Sequence, residues 1–297
     1  MRNEMSFKIS VLLAVYNGEK YIQEAIDSIV VQTYTNWELL IVDNGSIDTT
    51  KLICEKAAVN DSRIKFFKLK EKGKTNSYNL AFEKSSGDFI CFFAADDKLT
   101  PRSLESRLNN IEDIKSGYST CLLRTFSEDH THNGIVFPKN KDLPNYSGGS
   151  IFFARRLADL AFPIPVTFPN EDTWTSLHLR AFGVNKHLPE VCYDYRIHDN
   201  NSYGYALSFD EKRLRFLQRM EAYQIFYDRY KDKQVPFVDN YIKFFVKGLN
   251  FAKNSQILNI LFTQLPVRER LIFIFYSAPI LYKLRYKYFK FFSGIFN

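Results

Sequence analysis

Two adjacent carboxylates, Asp96 and Asp97, close the apolar run Phe89-Ile90-Cys91-Phe92-Phe93-Ala94-Ala95. A run of that length and aromatic content reads as a buried strand, and in open α/β sheets ligands bind just outside the carboxyl ends of strands. Paired carboxylates at such an end suit a hard divalent cation, which prefers oxygen ligands and commonly carries a phosphate as well, so the position reads as a metal and diphosphate site. The plainer alternative is an Asp-Asp turn ahead of a helix that opens at Thr100-Pro101 and runs through Leu104 and Leu108.

The neighbouring segments place that pair in a larger frame. Lys8 to Val15 reads as a first buried strand, broken at Tyr16-Asn17-Gly18 before a helix whose apolar face is Tyr21, Ala25, Ile26 and Ile29. Glu38 to Val42 is a second strand ending at Asp43-Asn44-Gly45-Ser46, with a helix opening near Asp48. Ile64 to Phe67 is a short third strand, and Lys74 to Lys84 a helix closed by Ser85-Ser86-Gly87. Strands alternating with helices at this spacing imply βαβ units, a largely parallel sheet and right-handed crossovers. Three strand ends, Tyr16-Asn17, Asp43-Asn44 and Asp96-Asp97, then converge on one edge, which is where a nucleotide would lie.

The succession VYNGEKYI, QTYTNWELLIVDNGSIDTT, NLAFEKSSGDFICFFAADD and PNEDTW resembles the inverting, nucleotide-sugar-dependent glycosyltransferases of family 2. The resemblance spans roughly residues 7 to 200 and implies the GT-A fold, a Rossmann-like, mostly parallel α/β sheet flanked by helices. It assigns Tyr16, Asp43 and Asn44 to the nucleoside pocket, where Asp43 would accept a hydrogen bond from an N–H of the base; the alternative is an Asx-turn after a strand. It gives Asp96 to the ribose or the metal, Asp97 to the metal bridging the phosphates, and His198 in Tyr195-Arg196-Ile197-His198 to the metal or diphosphate. Asp172, in Asn170-Glu171-Asp172-Thr173-Trp174, matches the catalytic base, against a reading in which it merely caps the helix Thr173 to Phe182.

Three positions depart from the family pattern. Asn44 stands where DDGS is common, Ala94 where the aspartate-x-aspartate signature commonly starts, and Tyr78-Asn79 where an Arg-Asn pair is frequent. Lys72 and Lys74 are then the cations available to the phosphates. In an inverting transfer the protein supplies a base on one face of the sugar and charge neutralisation on the other, roles that fit Asp172 and an Mg²⁺ or Mn²⁺ ion held by Asp97. Trp174 would stack on a sugar ring or lie in the core. No second Trp-bearing motif of the processive synthases is present, which predicts one hexosyl unit per acceptor.

Two other readings compete. A sugar-1-phosphate nucleotidyltransferase needs a Gly-rich phosphate loop with nearby Arg and Lys after the first strand, which Tyr16-Asn17-Gly18-Glu19 does not provide. A catalytically weakened nucleotide-sugar-binding scaffold is suggested by Ala94.

Length and composition set the surroundings. A chain of 297 residues accommodates a GT-A domain of about 200 residues plus an appendage. Cys54, Cys91, Cys121 and Cys192 are scattered in apolar segments without metal-ligand spacing and read as reduced core residues of a cytoplasmic protein. The segment Arg2 to Lys8 is not followed by a signal-peptide core.

The organisation changes near residue 205. Residues 205–297 carry 16 Lys+Arg and 7 Asp+Glu, a net of +9, whereas residues 1–204 sum to −2. The same tail holds 23 of the 46 Phe and Tyr residues. Lys212 to Tyr230 and Pro236 to Ala252 have helical length and amphipathic pattern, Arg268 to Phe292 interleaves apolar and basic residues, and the apolar stretch Leu271 to Tyr282 is shorter than the ~20 residues that span a bilayer. With Arg268, Arg270, Lys283, Arg285, Lys287 and Lys290 around it, Leu271 to Phe292 is expected to lie on an anionic membrane surface, the alternative being a helical cap or an interface with a second copy of the chain. Nucleic acid is not an expected partner. The reading is a cytoplasmic, peripheral inner-membrane enzyme that moves sugar from a nucleotide donor, by the resemblance most often a uridine one, to a cell-surface glycan of capsule or lipopolysaccharide type or its lipid-linked precursor.

Overall fold

The computed structural model describes residues 7–69, 72–168, 170–198 and 208–289, with side chains to 284. The chain forms two compact units, Met1–Asp199 and Asn200–Asn297.

In the first unit the strands are β1 (Ile9–Val15), β2 (Trp37–Asp43), β3 (Ile64–Lys68), β4 (Phe89–Ala94), β5 (Lys98–Leu99), β6 (Gly117–Phe126), β7 (Val136–Phe137), β8 (Ile151–Ala154) and β9 (Val184–Arg196). The helices between them are α1 (Ile22–Val30), α2 (Thr50–Asn60), α3 (Lys74–Lys84), α4 (Ser103–Asn110), α5 (Arg155–Ala161) and α6 (Glu171–Phe182). One sheet runs β3-β2-β1-β4-β8-β6-β9-β5, with β7 beside β6. Its β3-β2-β1-β4 half is parallel, and β8 then enters antiparallel to both β4 and β6.

The central strands are apolar on both faces because helices cover both. Val11, Leu12, Leu13, Leu39, Leu40, Ile41, Phe89 and Ile90 are completely buried, each contributing roughly 1.5–3 kcal/mol relative to exposure. On α1, Ala25, Ile26 and Ile29 face this core, as their spacing predicts. The tightly packed half of the sheet therefore holds level the strand ends that carry Tyr16, Asp43 and Asp96: Ala14 is in register with Val42 on one side and Ala94 on the other. All four cysteines are free and buried.

The second unit is helical: α7 (Phe209–Tyr230), α8 (Lys243–Lys253), α9 (Ile257–Leu261), α10 (Val267–Ser277) and α11 (Pro279–Phe289). Ser208 and Glu211 form a reciprocal capping box at the start of α7. Met220, Phe245, Leu249, Ala252, Ile260, Leu265 and Phe273 make its core. The expected helix Pro236 to Ala252 contains a π-helical turn, Val238–Ile242, ahead of α8. Between α10 and α11, Ala278 is extended (φ −151°, ψ 143°) ahead of Pro279, whose ring disfavours the helical region for its predecessor. Phe273, in the middle of the apolar stretch, packs inward. The side chains of Arg285 and Lys287, and residues 290–297 with Lys290, lie outside the described residues. Among the described residues no helix is long and apolar enough to cross a membrane.

Candidate active site

Asp43 closes β2 and is completely buried. Its Oδ1 accepts from the Ser46 N–H (2.9 Å) and hydroxyl (2.6 Å), while Oδ2 is buried with no partner. An unsatisfied buried acceptor costs about 1–3 kcal/mol, so Oδ2 is a group that a ligand donor would relieve. The Asx-turn is seen on one oxygen, and the other is a buried acceptor without a partner.

Tyr16 follows β1 and is exposed, with the Lys72 ammonium 5.8 Å from its ring centroid. Asn17 adopts a left-handed conformation (φ 48°), and its Oδ1 accepts from the Ile47 N–H at 3.0 Å. Asn44 acts as a tie: its Oδ1 accepts from the Gly73 N–H at 2.6 Å, where φ of +152° suits glycine. The loops after β1, β2 and β3 are thereby fastened to one another at one edge.

The two aspartates after β4 have diverged in role. Asp96 is one-third exposed, and its Oδ2 lies 3.0 Å from His198 Nε2. The His198 ring packs against Tyr21 at 5.3 Å. Asp97 is buried: its Oδ1 accepts from the Arg196 N–H (2.7 Å) and its Oδ2 from the Tyr193 hydroxyl (2.7 Å). Burial first, then the Asp96 charge, hold its pKa well above the usual carboxylate range against the opposing Arg196 and Tyr193 contacts. The expectation that Asp97 is the principal metal ligand therefore does not match its placement, since both oxygens are committed inside the protein. Gly149 makes room for this arrangement; a Cβ there would come within 2.2 Å of the Tyr193 ring.

Asp172 and Glu171 occupy the first turn of α6, where acidic side chains complement the helix dipole. Asn170 sits at the cap, so Asp172 is not the capping residue; its Oδ1 accepts from the Thr173 N–H (2.6 Å) and hydroxyl (3.2 Å). Glu171 is buried, with Oε1 3.0 Å from the Lys74 ammonium and Oε2 buried without a partner. Burial and the Asp172 charge raise the Glu171 pKa despite Lys74. Lys74 is half exposed and titrates above its ordinary value: desolvation works against the ammonium, and the Glu171, Asp172 and Asp96 carboxylates outweigh it. These four residues therefore share one electrostatic neighbourhood. Trp174 is completely buried and donates to the Ala161 carbonyl at 2.7 Å, so it belongs to the core and offers no face to a sugar.

Several contributors have contacts that the sequence does not show. Arg196 donates from Nε to the Asp96 carbonyl (2.7 Å) and from Nη2 to Glu24 (3.0 Å), with its guanidinium between the Tyr21 and Phe126 rings at 4.2 and 4.4 Å. Tyr78 is buried and its hydroxyl donates to the Phe93 carbonyl at 3.3 Å. Asn79 clasps the Ile164 backbone, accepting its N–H and donating to its carbonyl at 2.8 Å each. Arg196 and Glu171 stand within the motifs quoted for His198 and Asp172, and that proximity was their signal.

A divalent ion fits the donor chemistry in part. Asp96 offers an accessible carboxylate at a strand end, and such ions are often held by one or two carboxylates plus substrate phosphates. Among the described residues, no group of three or more His, Cys, Asp or Glu side chains could hold one unaided.

Residues 10–154 match the family model Glycosyl transferase family 2. An uncharacterized glycosyltransferase of Rickettsia conorii is 33% identical over 144 residues, 44% of this chain and 23% of that protein. The chain covers less than half the length of the curated relatives it matches. Among solved structures, S. aureus TarS 1–349 in complex with UDP-GlcNAc aligns over 95% of this chain and 91% of its own, at TM-score 0.63 and 16% identity. A Pyrobaculum calidifontis mannosyltransferase in complex with GDP-Man and Mn²⁺ aligns over 94% and 75%, at TM-score 0.60 and 16% identity. At these identities the likeness establishes the fold, the GT-A arrangement.

Proposed function

On the likeness of residues 10–154 to the Glycosyl transferase family 2 model, we propose that this chain transfers one sugar from a nucleotide diphosphate sugar to an acceptor hydroxyl, with inversion. The observation that carries the donor half is Asp43, whose buried Oδ2 has no partner and which ends β2 in register with Val15, the residue before Tyr16. A base bearing a ring N–H, uracil or guanine, supplies the missing donor, and the Tyr16 ring offers a face for stacking.

Transfer needs a base for the acceptor and a sink for charge on the leaving diphosphate. Asp172 is the general base, taking the acceptor proton as oxygen attacks the anomeric carbon from the face opposite the nucleotide. Lys74, held protonated by Glu171, Asp172 and Asp96, supplies positive charge beside them. Asp96, positioned by His198 and through its carbonyl by Arg196, is the residue to hold Mg²⁺ or Mn²⁺, which when bound neutralises the departing diphosphate. The acceptor is a cell-surface glycan or its lipid-linked precursor, reached from the cytoplasmic face of an anionic membrane.

Hydrolysis of a nucleotide-sugar panel with Mn²⁺ and no acceptor tests the reading. Release of nucleoside diphosphate from a uridine or guanosine donor supports it. Thermal stabilisation by those ligands without any turnover would instead favour the binding scaffold, since a ligand confined to the folded state stabilises it by mass action.

A further inference from the structure

The second unit exposes apolar side chains where its charge is one-sided. Around α9, Leu258 is 72% exposed, Leu261 44%, Phe262 85% and Val267 61%. Single exposed apolar residues are ordinary, whereas four within ten residues, on α9, the turn after it and the first position of α10, form a patch. Its underside is anchored, because Ile260 and Leu265 are buried in the core with Leu249 and Phe273. The patch is therefore backed by packing.

The surrounding chemistry selects the occupant. From Lys243 to Arg268 the sequence carries Lys243, Lys247, Lys253 and Arg268 and not one Asp or Glu. All four cations are exposed, and Lys247 lines a groove of about 250 Å³ with Phe251, Asn259, Phe262 and Thr263. An exposed apolar tip ringed by cations and uncharged amides matches the interface of an anionic bilayer, where the tip enters the acyl boundary and the cations meet lipid headgroups. We propose that Leu258, Leu261, Phe262 and Val267, flanked by Lys247, Lys253 and Arg268, form a membrane-inserting tip for an anionic lipid surface. This rests on the membrane-surface part of the proposed function and relocates the contact from Leu271–Phe292, where Phe273 faces the core, to the α9 turn.

The test is sedimentation of the full chain with vesicles of phosphatidylcholine alone and with phosphatidylglycerol added, at low and high salt. The intact protein should sediment with anionic vesicles at low salt and be released as salt screens the cations. Leu258→Ser/Phe262→Ser should weaken that binding about tenfold or more, and Lys247→Glu/Lys253→Glu should weaken it comparably. Ile280→Ser/Leu284→Ser, on α11, should leave it within twofold. All of these side chains are at the surface, so thermal midpoints should match the parent.

If Leu258→Ser/Phe262→Ser binds like the parent while Ile280→Ser/Leu284→Ser does not, the tip is refuted and α11 is the contact. If the parent ignores anionic vesicles, the membrane reading itself fails, whatever donor hydrolysis shows. If sedimentation velocity shows a dimer that Leu258→Ser/Phe262→Ser dissociates, and vesicles do not bind, the surface is an interface between two copies.

Discussion

Asp43→Asn is the most discriminating change because it alters one atom of known surroundings. The asparagine carbonyl can keep both Ser46 donors at 2.9 and 2.6 Å, which leaves its NH₂ where Oδ2 is now buried without a partner. An acceptor becomes a donor with little change of volume. A hydrogen bond to a charged group contributes about 1.5–3 kcal/mol, so affinity for a uracil or guanine nucleotide should fall about 10- to 150-fold. A cytosine ring presents an acceptor at the corresponding position, so CDP should lose far less and its rank against UDP should rise. Isothermal titration with UDP, GDP and CDP in Mn²⁺ reads both effects, and the thermal midpoint checks that the Ser46 turn survives. If the variant binds UDP as the parent does, or all three nucleotides weaken alike, Oδ2 does not read the base.

Asp172→Asn removes a proton acceptor at nearly constant shape, so transfer should fall ~10²-fold or more with donor affinity kept; near-normal turnover would remove Asp172 from the mechanism. Asp96→Asn should reduce the Mn²⁺-dependent part of nucleotide affinity and leave binding in EDTA unchanged. Asp97→Asn, which turns an amide group toward the Tyr193 and Arg196 donors, should instead lower stability by about 1–3 kcal/mol; a reversed pattern in titration and melting would return the metal to Asp97. At the far edge of the sheet, burial would raise the Glu38 pKa, but Lys65, Lys8, Ser86 and Ser10 hold it down at about 2. A carboxyl depressed below its ordinary 4.5 stabilises the fold fully above that value and loses the contribution as pH falls toward 2. The term is about 2 kcal/mol after allowing for the partly exposed lysines. Denaturant midpoints from pH 6 to pH 2.5 should therefore converge for parent and Glu38→Gln; parallel curves would contradict the assignment.

What the sequence discloses is local. The run Phe89 to Ala95 and the bounds of α3, Lys74–Lys84, are legible because strand runs end at Gly, Asn and Asp and helices show their own period. Pairings between distant segments are not. Nothing near Asp97 announces that Tyr193 and Arg196, almost a hundred positions later, take its two oxygens, and Asp96 and Asp97 look equivalent until β9 is placed beside them. The Lys74–Glu171 pair is hidden for the same reason. Trp174 presents two readings in sequence that only its burial separates. The break at Ala278 is different, since Pro279 stands in plain view and its steric rule alone accounts for it.

Arg196 bears on how this chain can be recombined with its relatives. Its guanidinium joins the Asp96 carbonyl to Glu24 on α1 between two aromatic rings, and its own N–H holds Asp97. The aspartate pair is thus seated by a strand that arrives a hundred residues later. A graft of residues 94–97 from a relative, made to restore an acid at Ala94, would import the side chains without their seat. The transferable unit is discontinuous: residues 94–97, 193–198 and the Tyr21–Glu24 turn of α1 must travel together, and chimaeras cut between β4 and β9 should fold yet hold the pair out of place.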